Sequence, residues 1–125
     1  MRPNKSMACT GFNGPPPKID DEKWMQDRAI KNLIVLHAEE NAIGYCSDPS
    51  KEGYHMFIYG PLTPCSHCAS IMIREGIASI TCVQTPYEGD SWSKSTEIAI
   101  NILDEAGIPV KVYSEEEYDN YRVKI

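Results

Sequence analysis

Three observations predict an α/β layer fold for this chain of 125 residues. Residues 54 to 113 read, in order, as strand, helix, strand, helix and strand, an alternation that builds parallel strands joined by right-handed crossovers. Both helical stretches stop at a glycine, Gly76 and then Gly107, the residue that most easily takes the left-handed turn ending a helix. The length suits one domain, residues 1–125, with a single core.

The elements follow from the chain in order. Ser6 to Phe12 is a short stretch of partly β-type composition, and it runs into Gly11-Phe12-Asn13-Gly14 and Pro15-Pro16-Pro17, a rigid turning loop. Asp20-Asp21-Glu22 opens a short helix toward Arg28, with Asp20 as its cap and the carboxylates near the positive end of the helix dipole. The apolar run Leu33-Ile34-Val35-Leu36 leads into His37, and a second helix from Ala38 to Tyr45 buries Ala42 and Ile43. Residues 47 to 53 are loop, and Tyr54 to Tyr59 is a strand by composition. A helix over Ser66–Glu75, a strand over Ile77–Val83 and a loop over Gln84–Ser93 come next. Ser95 to Ala106 places Ile98, Ala99, Ile102 and Leu103 on one helical face, Ile108 to Tyr113 is the last strand, and the acidic tail is a short or frayed helix.

Composition narrows the function. Apolar residues make up 42% of the chain, and no apolar run is long enough to cross a bilayer. The basic N-terminus is not followed by a hydrophobic signal core, so a cytoplasmic location is expected. Twelve Lys and Arg against 18 Asp and Glu give a net charge of −6 without any basic block. That balance disfavours a polymeric nucleic acid and suits a small nucleotide, which needs only one or two cations. Cys9, Cys46 and Cys82 sit among apolar or small residues, so they read as buried hydrophobes in a reducing compartment rather than as a disulfide framework.

The chemistry concentrates in His37-Ala38-Glu39 and, twenty-seven residues later, Pro64-Cys65-Ser66-His67-Cys68. Cys65 and Cys68 are three apart, so on a helix both sulfurs share a face and reach one ion. Pro64 suits the start of that helix, and the helix N-terminus favours thiolate, the form a metal requires. His37 supplies a neutral imidazole as third ligand. Three protein ligands leave a tetrahedral zinc one position for water, the arrangement of a catalytic site. Glu39, two residues on, can touch that water without binding the ion. Alone, Cys-x-x-Cys also suits a redox pair or half a structural zinc site. The combination H-x-E…P-C-x-x-C is the zinc deaminase signature.

On these residues the chain resembles the deoxycytidylate (dCMP) deaminases of the zinc-dependent cytidine deaminase superfamily. The matching stretches are Thr10-Gly11-Phe12-Asn13-Gly14, His37-Ala38-Glu39-Glu40-Asn41-Ala42-Ile43, Thr63-Pro64-Cys65-Ser66-His67-Cys68, and Tyr87 past the next strand. Asn41-Ala42-Ile43 is what tilts the likeness toward the dCMP branch. The resemblance implies a three-layer α/β/α fold with a mixed sheet, here without the family's N-terminal helix and first strand, because Arg2-Pro3-Asn4-Lys5 resembles the loop between strands one and two. It implies Zn2+ held by His37, Cys65 and Cys68, with Glu39 as the proton shuttle. Asn13, the backbone around Ala38, Asn41 and Tyr87 are its implied substrate contacts, and a homo-oligomer is its implied assembly. Asn41 serves equally well as a packing and hydrogen-bonding residue of its own helix. The implied reaction converts dCMP to dUMP with release of ammonia, and relatives acting on other bases, or without activity, are the alternatives.

No obvious phosphate clamp is present; Lys18 and Arg28 are candidates that also read as ordinary surface cations. His55 is expected to be packed or hydrogen-bonded within its strand. His67 is expected to point away from both cysteines, and Trp92 is either a lid aromatic or packed on the neighbouring helix.

Overall fold

The computed structural model describes residues 1–61, 63–86 and 93–123. In chain order the elements are α1 (Asp21–Trp24), α2 (Arg28–Ile34), α3 (Ala38–Gly44), β1 (His55–Gly60), α4 (Ser66–Arg74), β2 (Ser79–Gln84), α5 (Lys94–Glu105), β3 (Val110–Ser114) and α6 (Glu115–Val123). They fall into two compact units, Met1–Ala8 with Asp48–Ile125, and Cys9–Ser47.

The first unit holds the sheet. Its strands are parallel in the order β1-β2-β3, with Phe57 beside Thr81 beside Lys111, and Ile58 beside Cys82 beside Val112. β2, paired on both sides, buries Ile80, Cys82 and Val83, the near-continuous apolar run expected of a central parallel strand. Helix α4 buries Cys68, Ala69 and Met72, and α5 buries Thr96, Ala99 and Leu103. These spacings of three and four make one apolar stripe per helix, and the two helices pack against each other. Right-handed crossovers carry both to the same face of the sheet, while α6 packs on β3 and β2.

Both helices end alike. Gly76 and Gly107 take φ of +75° and +76°. Beyond them the Ile77 N–H donates to the Met72 carbonyl at 3.1 Å and the Ile108 N–H to the Leu103 carbonyl at 2.9 Å. The left-handed glycine lets the next N–H reach an orphan carbonyl of the last turn, and the isoleucine that follows it is buried in each case.

The first residue of β1 also has a partner at the other end of its unit. Met1 and His55 exchange both backbone hydrogen bonds, at 2.7 and 2.8 Å. Arg2 fastens the same segment by a fork onto Asp48, Nε to Oδ2 at 2.8 Å and Nη2 to Oδ1 at 3.1 Å. Tyr54 donates its hydroxyl to the same carboxylate.

The second unit is built differently. Asp20 caps α1 through the Lys23 N–H at 3.3 Å and Asp27 caps α2 through the Ala29 N–H at 2.9 Å. Neither helix has a buried residue. The α2 helix was not expected from its apolar run, because without a buried face it carries no helical stripe to read. An isolated antiparallel bridge joins Gly14 to Leu36. Among the described residues no helix is long and apolar enough to cross a membrane, and no disulfide forms.

Candidate functional site

The expected site residues fall into two groups. Cys65 and Cys68 belong to the sheet unit, where the chain leaves the carboxyl end of β1 and enters α4. Cys65 is the N-cap of α4, and its sulfur accepts from the Cys68 N–H at 3.5 Å. The turn is short of conformational freedom because Pro64, just before it, is buried and has its φ fixed by the ring. Pro64, expected at the entry to that helix, stands one residue before the cap. Cys68 is fully buried and Cys65 half-buried.

The two sulfurs lie within 4.8 Å of each other. Bound tetrahedrally at about 2.3 Å each, two sulfurs on one zinc stand about 3.8 Å apart. A pair of thiols on one helix turn, both near the positive end of the helix dipole, therefore suits zinc in distance and in charge. The neighbouring helix supports the turn, since the Ser95 hydroxyl accepts from the Ser66 N–H at 2.9 Å and meets the Ser66 hydroxyl at 3.0 Å. Sequence reasoning missed Ser95; its only signal was a serine-rich start to a helix.

His37, Ala38, Glu39, Asn13 and Asn41 all lie in the Cys9–Ser47 unit. His37 is the N-cap of α3, in extended conformation. Its N–H donates to Glu40 Oε1 at 3.2 Å, one arm of a capping box. Glu39 follows in the first turn and is half-buried. Asn13 and Ala38 are brought together, for Asn13 Oδ1 accepts the Ala38 N–H at 2.7 Å. The Ala38 N–H, part of the backbone expected to read a base edge, thus has a partner in Asn13. Asn41 donates from Nδ2 to the Phe12 carbonyl at 2.7 Å. Gly11 lies directly on the same helix, where an added Cβ would stand 2.4 Å from the Ala42 nitrogen and 2.5 Å from the Ala38 oxygen.

Tyr87 and Trp92 lie outside the described residues. Lys18 and Arg28 are both exposed, as surface cations are. His55 is hydrogen-bonded, Nδ1 to the Ser79 hydroxyl at 2.6 Å, and His67 is exposed.

A model of the cytidine and deoxycytidylate deaminase zinc-binding region matches residues 1–84, a span that contains His37-Ala38-Glu39 and Pro64 to Cys68. The chain is 34% identical over 105 residues to an uncharacterized deaminase in the luxG 3′ region of Aliivibrio fischeri, covering 83% of this chain and 69% of that one. It is 27% identical over 109 residues to the deoxycytidylate deaminase of Pongo abelii, covering 82% of this chain. It spans only 58% of that second relative's length. In fold it resembles the crystal structure of dCMP deaminase from the cyanophage S-TIM5 in complex with dCMP and dUMP. The TM-score is 0.64 and the identity 23%, over 87% of this chain and 74% of that one. The chain belongs to the cytidine and deoxycytidylate deaminase family and carries its zinc-binding region.

Proposed function

We propose that this protein is a zinc-dependent hydrolase that deaminates dCMP to dUMP. The observation that carries the reading is the family match over residues 1–84, because one continuous match takes in the histidine, the glutamate and both cysteines. His37, Cys65 and Cys68 are the proposed zinc ligands, supported by the spacing of the cysteines on one helix turn. Asn13, the Ala38 backbone and Tyr87 are the proposed nucleotide contacts. The dCMP substrate is favoured by Asn41-Ala42-Ile43 after His-Ala-Glu and by the deoxycytidylate deaminase among the relatives.

Held by His37, Cys65 and Cys68, zinc would supply Lewis acidity, bringing the pKa of a water down toward neutrality. The protein's own part is proton transfer. Glu39 accepts the proton of the water that adds to C4 and delivers it to N3 of the ring. It then takes the proton of the new C4 hydroxyl and passes it to the amino group, so that the C4–N bond breaks, the C4 carbonyl forms and ammonia leaves. One carboxylate thus acts as base and then as acid. Homo-oligomerisation is an expectation of the resemblance, and a cytoplasmic setting one of the N-terminal composition.

The test is zinc stoichiometry beside an ammonia-release assay over dCMP, dCTP, CMP, cytidine and guanine. One zinc per chain and turnover of dCMP above the other four is the expected result. Turnover of another base alone would move the enzyme within its family, and zinc without any turnover would make it a silent zinc binder.

A further inference from the structure

Asn41 has no part in the reaction as derived, yet its side chain is committed. Its amide reaches back 29 residues to hold the Phe12 carbonyl at 2.7 Å. Three more contacts lie beside it. Asn13 Oδ1 takes the Ala38 N–H at 2.7 Å. Gly14 and Leu36 exchange backbone hydrogen bonds at 3.1 and 2.8 Å. Gly11 presses on the backbone of Ala38 and Ala42 with no space for a Cβ. The loop from Gly11 to Gly14 is therefore clasped onto the first turn of α3, and Asn41 is the only side chain of that helix seen donating to the loop among the described contacts.

We propose that Asn41 is a positioning residue: by holding the Phe12 carbonyl it sets the loop, and through the loop it sets the amide of Asn13. This rests on the deaminase reading, in which Asn13 touches the nucleotide. The geometry favours it over a direct nucleotide contact, because the amide hydrogen bond to Phe12 orients the Asn41 side chain toward the loop backbone. Replacing Asn41 then frees the peptide one residue before Asn13. The Asn13 side chain loses its register, while the zinc ligands and Glu39 are untouched.

The experiment compares Asn41→Ala, Asn41→Asp, Asn13→Ala and the Asn13→Ala/Asn41→Ala double variant in the full zinc-loaded chain. Asn41→Asp keeps the volume but has no N–H to give, so it controls for simple loss of bulk. Amide hydrogen exchange is read first, without nucleotide. Exchange at Ala38 is expected to quicken about tenfold in all four, as one lost hydrogen bond allows. With dCMP, both Asn41 variants are expected to raise KM about tenfold and to keep kcat within about threefold, with zinc content unchanged. The double variant is expected to be no worse in KM than Asn13→Ala alone, because the path through Asn13 is already gone.

Unchanged exchange at Ala38 in both Asn41 variants would overturn the proposal. So would a double variant whose KM is the product of the two single effects, which would make Asn41 a nucleotide contact in its own right. Absence of dCMP turnover in the unmodified chain would instead sink the deaminase reading, and the exchange data would still decide whether Asn41 holds the loop.

Discussion

Helices α3 and α4 each begin at an expected zinc ligand, but different forces hold them. In α4 the turn after Cys65 is fixed by burial: Cys68, Ala69 and Met72 are fully enclosed, and the helix packs along α5. In α3 only Ile43 is buried. The turn after His37 is fixed instead by hydrogen bonds and by the close approach of a glycine, all within residues 9–47. Burial is non-directional, whereas each hydrogen bond of the clasp fixes a direction and is lost with its donor. The turn that carries the two cysteines is thus held by burial, and the turn that carries His37 and Glu39 by directional hydrogen bonds.

The sharpest way to break that comparison is Glu39→Gln. The swap keeps shape and leaves every described hydrogen bond of the clasp in place, so stability and zinc content should not change. Turnover of dCMP should fall by about a thousandfold, within the range for loss of one acid–base group. Parallel thermal melts, zinc analysis and steady-state rates check it. Retained turnover would show that the carboxylate has no proton to carry.

Next in size is Met72→Ala. Met72 has no exposed surface, so truncation should cost about 2–5 kcal/mol of unfolding free energy through lost transfer and the cavity left behind. Ile43→Ala in α3, at 9% exposure, should cost less than Met72→Ala in the same urea titration. Equal losses would mean that α3 is held by burial after all.

Gly11→Ala probes the other side. Its new methyl would meet backbone atoms at 2.4 and 2.5 Å, and backbone cannot step aside as a flexible side chain can. Overpacking of this kind costs about 1–3 kcal/mol, and it should speed exchange at Ala38 and Leu36, whose N–H groups bond Asn13 and Gly14. A neutral Gly11→Ala would dissolve the clasp.

The same contrast decides what could be read in advance. The sheet unit was legible because burial writes periodicity into sequence. The strand runs, the stripes of α4 and α5 and the stops at Gly76 and Gly107 all repeat or punctuate at fixed spacing, and Cys65 and Cys68 lie inside that pattern. His37 and Glu39 were legible as a motif. The clasp was not, because Asn13 meets Ala38 across 25 residues and Asn41 meets Phe12 across 29, distances at which no local period acts. Ser95 was hidden for the same reason, its hydroxyl bonding a different helix. The N-terminal fork was missed because Arg2 and Asp48 are 46 residues apart and each alone looks like an ordinary surface charge.

That fork yields the smallest effect. The hydrogen bond from Arg2, and after it the one from Tyr54, holds the Asp48 carboxyl below the usual carboxylate range. Because the folded value is the lower one, this stabilisation is complete above the unfolded carboxylate value and is lost as pH falls through the folded value. Tyr54 runs the opposite way. Its hydroxyl, donated to Asp48, titrates above the ordinary tyrosine value, so its contribution holds at lower pH and is lost as pH rises through the folded value. The attachment of Met1 and Arg2 should therefore show a plateau across neutral pH with an acid limb and an alkaline limb, read by amide exchange at His55, whose N–H bonds the Met1 carbonyl. Asp48→Asn keeps an acceptor for Arg2 but removes the charge, so it should flatten the acid limb and shift the alkaline one to lower pH. Added salt should reduce the effect in the parent chain and leave Asp48→Asn almost unmoved, since the pair is partly exposed and screened. A salt-independent acid limb would place the titrating group elsewhere than Asp48.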